Sequence, residues 1–222
     1  MGAVTFSIPK DFITLFHKFG HFQNFVETGT FTGVSCFWAA TLFDAVFTVE
    51  IDPEISKATA SRPDCPKNIR FFVGNSRNVL PSIVTQLKGR SIFWLDGHWC
   101  DVSELGKDEE CPVLDELKAA AAAKDPLILI DDARAFLGPL PPPHQKSHWP
   151  RIDEIFSLSK VLLPKHLVTV FDDVIFVIPP DLIECFEKYW IGSYYNRFPG
   201  KNQPLLKRVF GKALSFWPKR KS

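Results

Sequence analysis

Short apolar, β-rich runs alternate with stretches of helical length along most of this chain. The pattern is clearest over residues 25–52, FVETGTFTGVSCFWAATLFDAVFTVEID. Phe25 and Val26 enter a turn at Glu27, Thr28, Gly29 and Thr30. After Gly33 the apolar stretch VSCFWAATLF is long enough for about three helical turns. A second β-rich run, 45–49, ends in Glu50 and Asp52. The reading is a strand, a glycine turn, a helix and a strand, with acids at both strand ends.

The same alternation continues on either side. Residues 8–19 read as a short helix with Pro9 in its first turn and Gly20 as its stop. Pro53 starts a helix over 53–61, and 69–73 is a third strand running into Gly74, Asn75 and Ser76, with a helix to about Leu87. The fourth strand, 91–95, is followed by Asp96, Gly97, His98 and Trp99, and then by a polar, acidic segment over 100–111. Pro112 opens an alanine-rich helix, and the fully apolar fifth strand, 127–130, ends in Asp131 and Asp132. Residues 134–150 are proline-rich with no helical or strand period, a loop long enough to be a candidate lid. A helix over 151–161 precedes a hairpin, 167–171 and 174–178, turned by Asp172 and Asp173, and 181–195 is the last helix. There is no internal repeat.

At 222 residues this is expected to be one α/β domain over 1–222: an N-terminal helix and lead-in (1–24), a core (25–178), substrate-side loops (99–112 and 134–150), and a C-terminal helix with a basic tail (179–222). A net charge of +1 argues against steering of nucleic acid over the whole surface. Five cysteines without a C-x-x-C pair suit free thiols in a reducing compartment. No signal-like segment opens the chain, and no apolar run has membrane-spanning length, so a cytoplasmic protein is expected.

The turn chemistry narrows the ligand. A glycine at a strand-to-helix turn lets a ligand approach the backbone, and ligands of such sheets bind beyond the carboxyl ends of the strands. The dinucleotide fingerprint G-x-G-x-x-G is absent; Gly29 and Gly33 stand four apart, with a carboxylate, Glu27, two residues before the first. This arrangement resembles the class I S-adenosylmethionine-dependent methyltransferases, with Phe31 in place of their central glycine. The resemblance implies a Rossmann-like doubly wound sheet of about seven strands, mostly parallel with a terminal antiparallel hairpin. It implies Glu27 near the methionine ammonium of S-adenosyl-L-methionine and Glu50 on the ribose hydroxyls, with Gly29, Thr30, Gly33, Ile51, Asn75, Ser76 and Asp96 also on the cofactor side. Asn75 is either the adenine contact or simply the cap of the following helix.

In the strand order that family implies, Asp96 and the Asp131–Asp132 pair meet at one sheet edge. Carboxylates so placed repel one another unless protonated or bound to a cation, and Mg²⁺ (or Mn²⁺) suits oxygen ligands. This resembles the macrocin-type metal-dependent sugar O-methyltransferases, and the alternative for the Asp pair is a helix cap with a solvated neighbour. The expected reaction is methylation of a hydroxyl on a sugar, glycan or other small diol. Asp96 or His98 would act as base, and Trp99, Phe136, His148 and Trp149 would line the acceptor. An NAD-type oxidoreductase and a non-catalytic interaction module are the alternatives. The expected partner is a small-molecule or glycan acceptor, with no nucleic acid, and a homodimer is left open.

Overall fold

A computed structural model describes residues 8–100 and 103–197. The chain divides into two compact units, Met1–Ile183 and Glu184–Ser222. The first holds a seven-stranded sheet in the order β3-β2-β1-β4-β5-β7-β6. Its strands are β1 (Phe22–Thr28), β2 (Ala45–Glu50), β3 (Ile69–Val73), β4 (Arg90–Leu95), β5 (Leu127–Ile130), β6 (Leu167–Phe171) and β7 (Val174–Ile178). The first five run parallel, and β7 pairs antiparallel with both β5 and β6. This is the Rossmann-like arrangement expected, with the strand order reversing between β1 and β4.

The helices are α1 (Lys10–Gly20), α2 (Val34–Ala39), α3 (Pro53–Ala60), α4 (Ser76–Val84), α5 (Val113–Ala121), α6 (Ile152–Leu162) and, in the second unit, α7 (Ile183–Arg197). Their starts follow local chemistry. Asp52 caps α3 by accepting the N–H groups of Glu54 and Ile55, with Pro53 in the first turn. Asn75 caps α4 through the N–H of Arg77.

The helix after Gly33 is shorter than its apolar run, six residues rather than the whole stretch. Asn68 explains the early stop, because its amide donates to the carbonyls of Ala40 and Phe43 at 3.0 Å and holds the chain in a turn. Strand β1 starts three residues before the run that announced it, since Asn24 is satisfied inside the sheet by Lys88 O (2.8 Å) and Ser91 Oγ (3.1 Å). Asp172 and Asp173 both have positive φ, 50° and 41°, as a two-residue hairpin turn requires. The tail 198–222 and residues 1–7 lie outside the described residues, so the expected basic tail is not placed.

Phenylalanines supply much of the interior: Phe12 stacks on Phe16 at 4.2 Å and meets Phe176 of β7 at 4.4 Å. On the other face Val26, Phe47, Phe93, Leu117, Ile128 and Ile155 belong to one buried cluster that clamps α4, α5 and α6 onto the sheet. Within the second unit, Phe186 and Trp190 of α7 face each other at 6.2 Å. Among the described residues, no helix is long and apolar enough to cross a membrane.

Candidate active site

The carboxyl ends of β1, β2, β4 and β5 open into one cavity of about 460 Å³. Its turn is set by Gly29, whose φ is +84°. A Cβ there would lie 2.4 Å from the carbonyl oxygen of Asp96, so the β1 turn presses directly on the end of β4. Phe31 follows in a left-handed conformation, φ 44°, with its ring half exposed. Its backbone is held from both sides, donating to Glu50 Oε2 (2.9 Å) and accepting from Thr59 Oγ1 (2.7 Å).

Glu50 therefore sits at the rim with a fixed carboxylate, its other oxygen accepting the N–H of Asp52 at 3.1 Å. It lines the cavity with Ile51, Asn75 and Ser76 on one side and Gly29 and Phe31 in the middle. Glu27, Thr30 and Gly33 do not line it. Glu27 is fully buried, accepting hydrogen bonds from Ser35 Oγ and Thr48 Oγ1, and Thr48 in turn bonds Thr30 at 2.6 Å. Burial pushes the Glu27 carboxyl up to about 7 despite those hydroxyls. Gly33, φ +78°, caps α2, and a Cβ there would meet Thr59 at 2.7 Å.

The opposite end of the cavity gathers Asp96, His98, Asp131 and Asp132. His98 Nε2 is 2.8 Å from Asp132 Oδ2 and 3.7 Å from Asp96 Oδ1. Arg134 reaches the other oxygen of Asp132 at 2.7 Å and also pairs with Asp173. The charges sort accordingly. Burial pushes Asp96 up to about 8 and Asp131 to about 6, each raised further by neighbouring carboxylates. The hydrogen bond to His98 and the nearby Arg134 hold Asp132 below the usual carboxylate range. Burial alone would lower His98, but the Asp132 hydrogen bond and the surrounding carboxylates raise it.

The three carboxylates thus converge as the strand order implied, yet the cationic groups beside them come from the chain itself. Asp132 uses one oxygen on His98 and the other on Arg134. Among the described residues, no group of three or more His, Cys, Asp or Glu side chains is arranged to hold a metal ion. The expected Mg²⁺ at Asp96, Asp131 and Asp132 is thus not supported by this arrangement.

The expected acceptor residues separate. Trp99 lines the cavity, its indole N–H donating to Ser103 O at 2.6 Å. Ser103 bonds Asp52 (3.3 Å), and Glu109 meets Asn75 (3.2 Å) and Arg77 (2.9 Å). The middle of the 99–112 segment therefore lies over the ends of β2 and β3, on the Glu50 side rather than the His98 side. Phe136 is buried and does not line the cavity, and neither do His148 and Trp149. Trp149 stands just behind His98, ring centroids 5.4 Å apart, with Phe136 at 5.8 Å on its other side.

Glu110 was not singled out in the sequence, although it ties the two loops together. It is buried and accepts from His144 Nδ1 (2.9 Å), Gln145 N (2.8 Å) and Trp149 Nε1 (2.6 Å). Burial opposes its ionisation, but these donors outweigh burial and hold its carboxyl below the usual range. Nothing local distinguishes it from Glu109, since its partners lie more than thirty residues away. Glu116 of α5 was missed too: it is buried beneath Gly97, where a Cβ would stand 2.8 Å from its carboxylate.

Solved structures share this fold. A candidate caffeoyl-CoA O-methyltransferase from Staphylococcus aureus matches with a TM-score of 0.52 and 14% identity, covering 79% of this chain and 86% of that one. A candidate O-methyltransferase from Klebsiella pneumoniae matches with a TM-score of 0.50 and 13% identity, covering 80% and 84%. No protein-family model and no curated protein matches the chain. At such identities the likeness is one of architecture alone.

Proposed function

We propose that this protein is an S-adenosylmethionine-dependent O-methyltransferase acting on a hydroxyl of a small diol, sugar or glycan. The observation that carries the reading is one cavity with a fixed acceptor carboxylate, Glu50, at one end and the Asp96–His98–Asp132 cluster at the other. The shared architecture with O-methyltransferase structures supports it.

The cofactor supplies a methyl group already activated on a sulfonium, so the protein has to bind, orient and deprotonate. Glu50, its carboxylate fixed by two backbone N–H groups, is suited to accept hydrogen bonds from ribose hydroxyls. Asn75 Oδ1 accepts the cap hydrogen bond, which leaves it a second lone pair for the adenine contact assigned to it. Glu27 acts from beneath the cavity, holding the β1 turn through Ser35 and Thr48 rather than touching the ligand.

At the other end Asp96 is the proton acceptor. About a third of its side chain is open (36%) where it lines the cavity, and burial raises its carboxyl, so its ionised form is a stronger base than an ordinary carboxylate. His98, held by Asp132, supplies positive charge beside it when protonated and is the alternative base when neutral. A divalent cation at Asp132 would share its oxygens with His98 and Arg134, so metal assistance is a separate question with its own test.

The deciding experiment is calorimetric titration of the protein with S-adenosylhomocysteine, repeated with Mg²⁺ and with a chelator. Micromolar or tighter binding is expected. A folded protein that binds NAD but not S-adenosylhomocysteine would replace this reading with an oxidoreductase. Binding that strengthens with Mg²⁺ and weakens in chelator would restore the metal. With binding in hand, a screen of vicinal-diol and sugar acceptors identifies the substrate class.

A further inference from the structure

Residues 103–112 touch both halves of the site through two consecutive side chains. Glu109 closes a 3₁₀ turn, Lys107–Glu109, and reaches Asn75 (3.2 Å) and Arg77 (2.9 Å) beside the cavity. Glu110 reaches the proline-rich loop, accepting from His144, Gln145 and Trp149, with His148 Nδ1 a further 3.5 Å from its carboxylate. Just before these anchors the segment forms cavity wall at Leu105 and Gly106.

The two anchors differ in strength. The Glu109 side chain is half exposed (51%), and ion pairs in that setting contribute little. Glu110 is buried, and a carboxylate there with three N–H donors makes strong charge-assisted hydrogen bonds whose loss leaves every donor unpaired. The segment and the proline-rich loop are therefore firmly joined to each other, and only lightly joined to the floor of the cavity.

We infer that Glu109 and Glu110 make residues 103–112 a link by which a ligand in the cavity sets the proline-rich loop. The inference rests on the cofactor reading above. A bound cofactor bridges the cavity floor and the underside of the segment, adding the contacts that the Glu109 side lacks. Because Glu110 carries His144 and Trp149 with it, the same event fixes Trp149 behind His98. The acceptor end is then complete only when the cofactor end is filled, and cofactor binds before acceptor. Glu110 is a positioning residue, acting on the site through Trp149.

Hydrogen exchange of the full chain, with and without saturating S-adenosylhomocysteine, tests this. The wild type is expected to show roughly ten-fold slower exchange at Gln145 and His148, along with protection at 50–52 and 75–77. In Glu110→Gln the amide keeps one accepting oxygen and turns its nitrogen toward the remaining donors, so the join is weakened, and the ligand should still protect 50–52 and 75–77 while protection at 144–149 falls below that of the wild type. His144→Ala, which removes one donor at the loop side, keeps the test open should the buried amide impair folding. Protection at 50–52 without any at 144–149 in the wild type overturns the inference and leaves the cofactor reading standing. Equal protection of 144–149 in the wild type and both variants also overturns it. No protection anywhere in the wild type removes both.

Discussion

Replacing Glu27 by Gln should flatten the dependence of stability on pH. Glu27 stands opposite Thr48 of β2 and Trp94 of β4, fully buried, with hydroxyl donors on both carboxylate oxygens. Burial nonetheless dominates and moves its titration from 4.5 to about 7. The folded protein thus holds this proton more tightly than the unfolded chain does. The stability it contributes is fully present below the unfolded value and is lost as pH rises through the folded one. At ~1.4 kcal/mol for each pH unit of displacement, the loss between pH 5 and pH 8 is about 2.5 kcal/mol. An amide of the same shape has no proton to lose, and it still offers an acceptor and a donor to the two hydroxyls. Urea unfolding of both proteins at several pH values across that range measures the difference. Asp131, also raised, changes with pH in both proteins and cancels in the comparison, whereas Asp96 is raised mainly by burial and only in its last contribution by Glu27, so it cancels in the main. The variant should gain about 2.5 kcal/mol relative to the wild type between pH 5 and pH 8. Parallel curves would show that Glu27 is ionised throughout and that its hydroxyl donors outweigh burial.

Three further outcomes are expected. Gly29→Ala places a Cβ 2.4 Å from the Asp96 carbonyl at a φ of +84°, so a loss of roughly 2 kcal/mol or more should appear in thermal melts; a melt like the wild type's would mean the turn is looser than its geometry. Glu50→Ala should weaken S-adenosylhomocysteine binding by roughly 1.5 to 3 kcal/mol in calorimetry, and unchanged affinity would remove the ribose assignment. Asn24→Ala leaves Ser91 without its 3.1 Å partner between β1 and β4, and urea unfolding should register about 1 to 2 kcal/mol; no change would mean solvent replaces that link.

Elements with a strong local signal were legible in the sequence. The five parallel strands are short apolar runs bounded by turn residues, and Asp172–Asp173 between two β-branched runs announced the hairpin. What escaped depends on partners distant in the chain. The end of α2 is decided by Asn68, the start of β1 by Ser91, and the joining of the two loops by a glutamate whose donors lie at 144–149. Candidate site residues divided in the same way. Glu50, Asn75, Ser76, Asp96 and His98 line the cavity, because each follows or ends a parallel strand. Phe136, His148 and Trp149 were singled out for their chemical type, and type does not say which face of a loop is inward.

Strand register explains why two acids that look equivalent in the sequence do different things. Thr28 pairs with Val49 on one side and with Leu95 on the other, and Leu95 pairs with Ile130. One residue beyond that row come Gly29, Glu50, Asp96 and Asp131, from four neighbouring strands, and all four line the cavity. Glu27 is level with Thr48 and Trp94, two residues below the row, or about 6.6 Å deeper at 3.3 Å per residue. At that depth the Glu27 carboxylate meets hydroxyls and apolar side chains and does not line the cavity, whereas the Glu50 carboxylate meets two backbone amides and does. The glycine in the upper row has the same origin: with the Asp96 carbonyl pressed against it, that row has no room for a fourth side chain beside Glu50, Asp96 and Asp131.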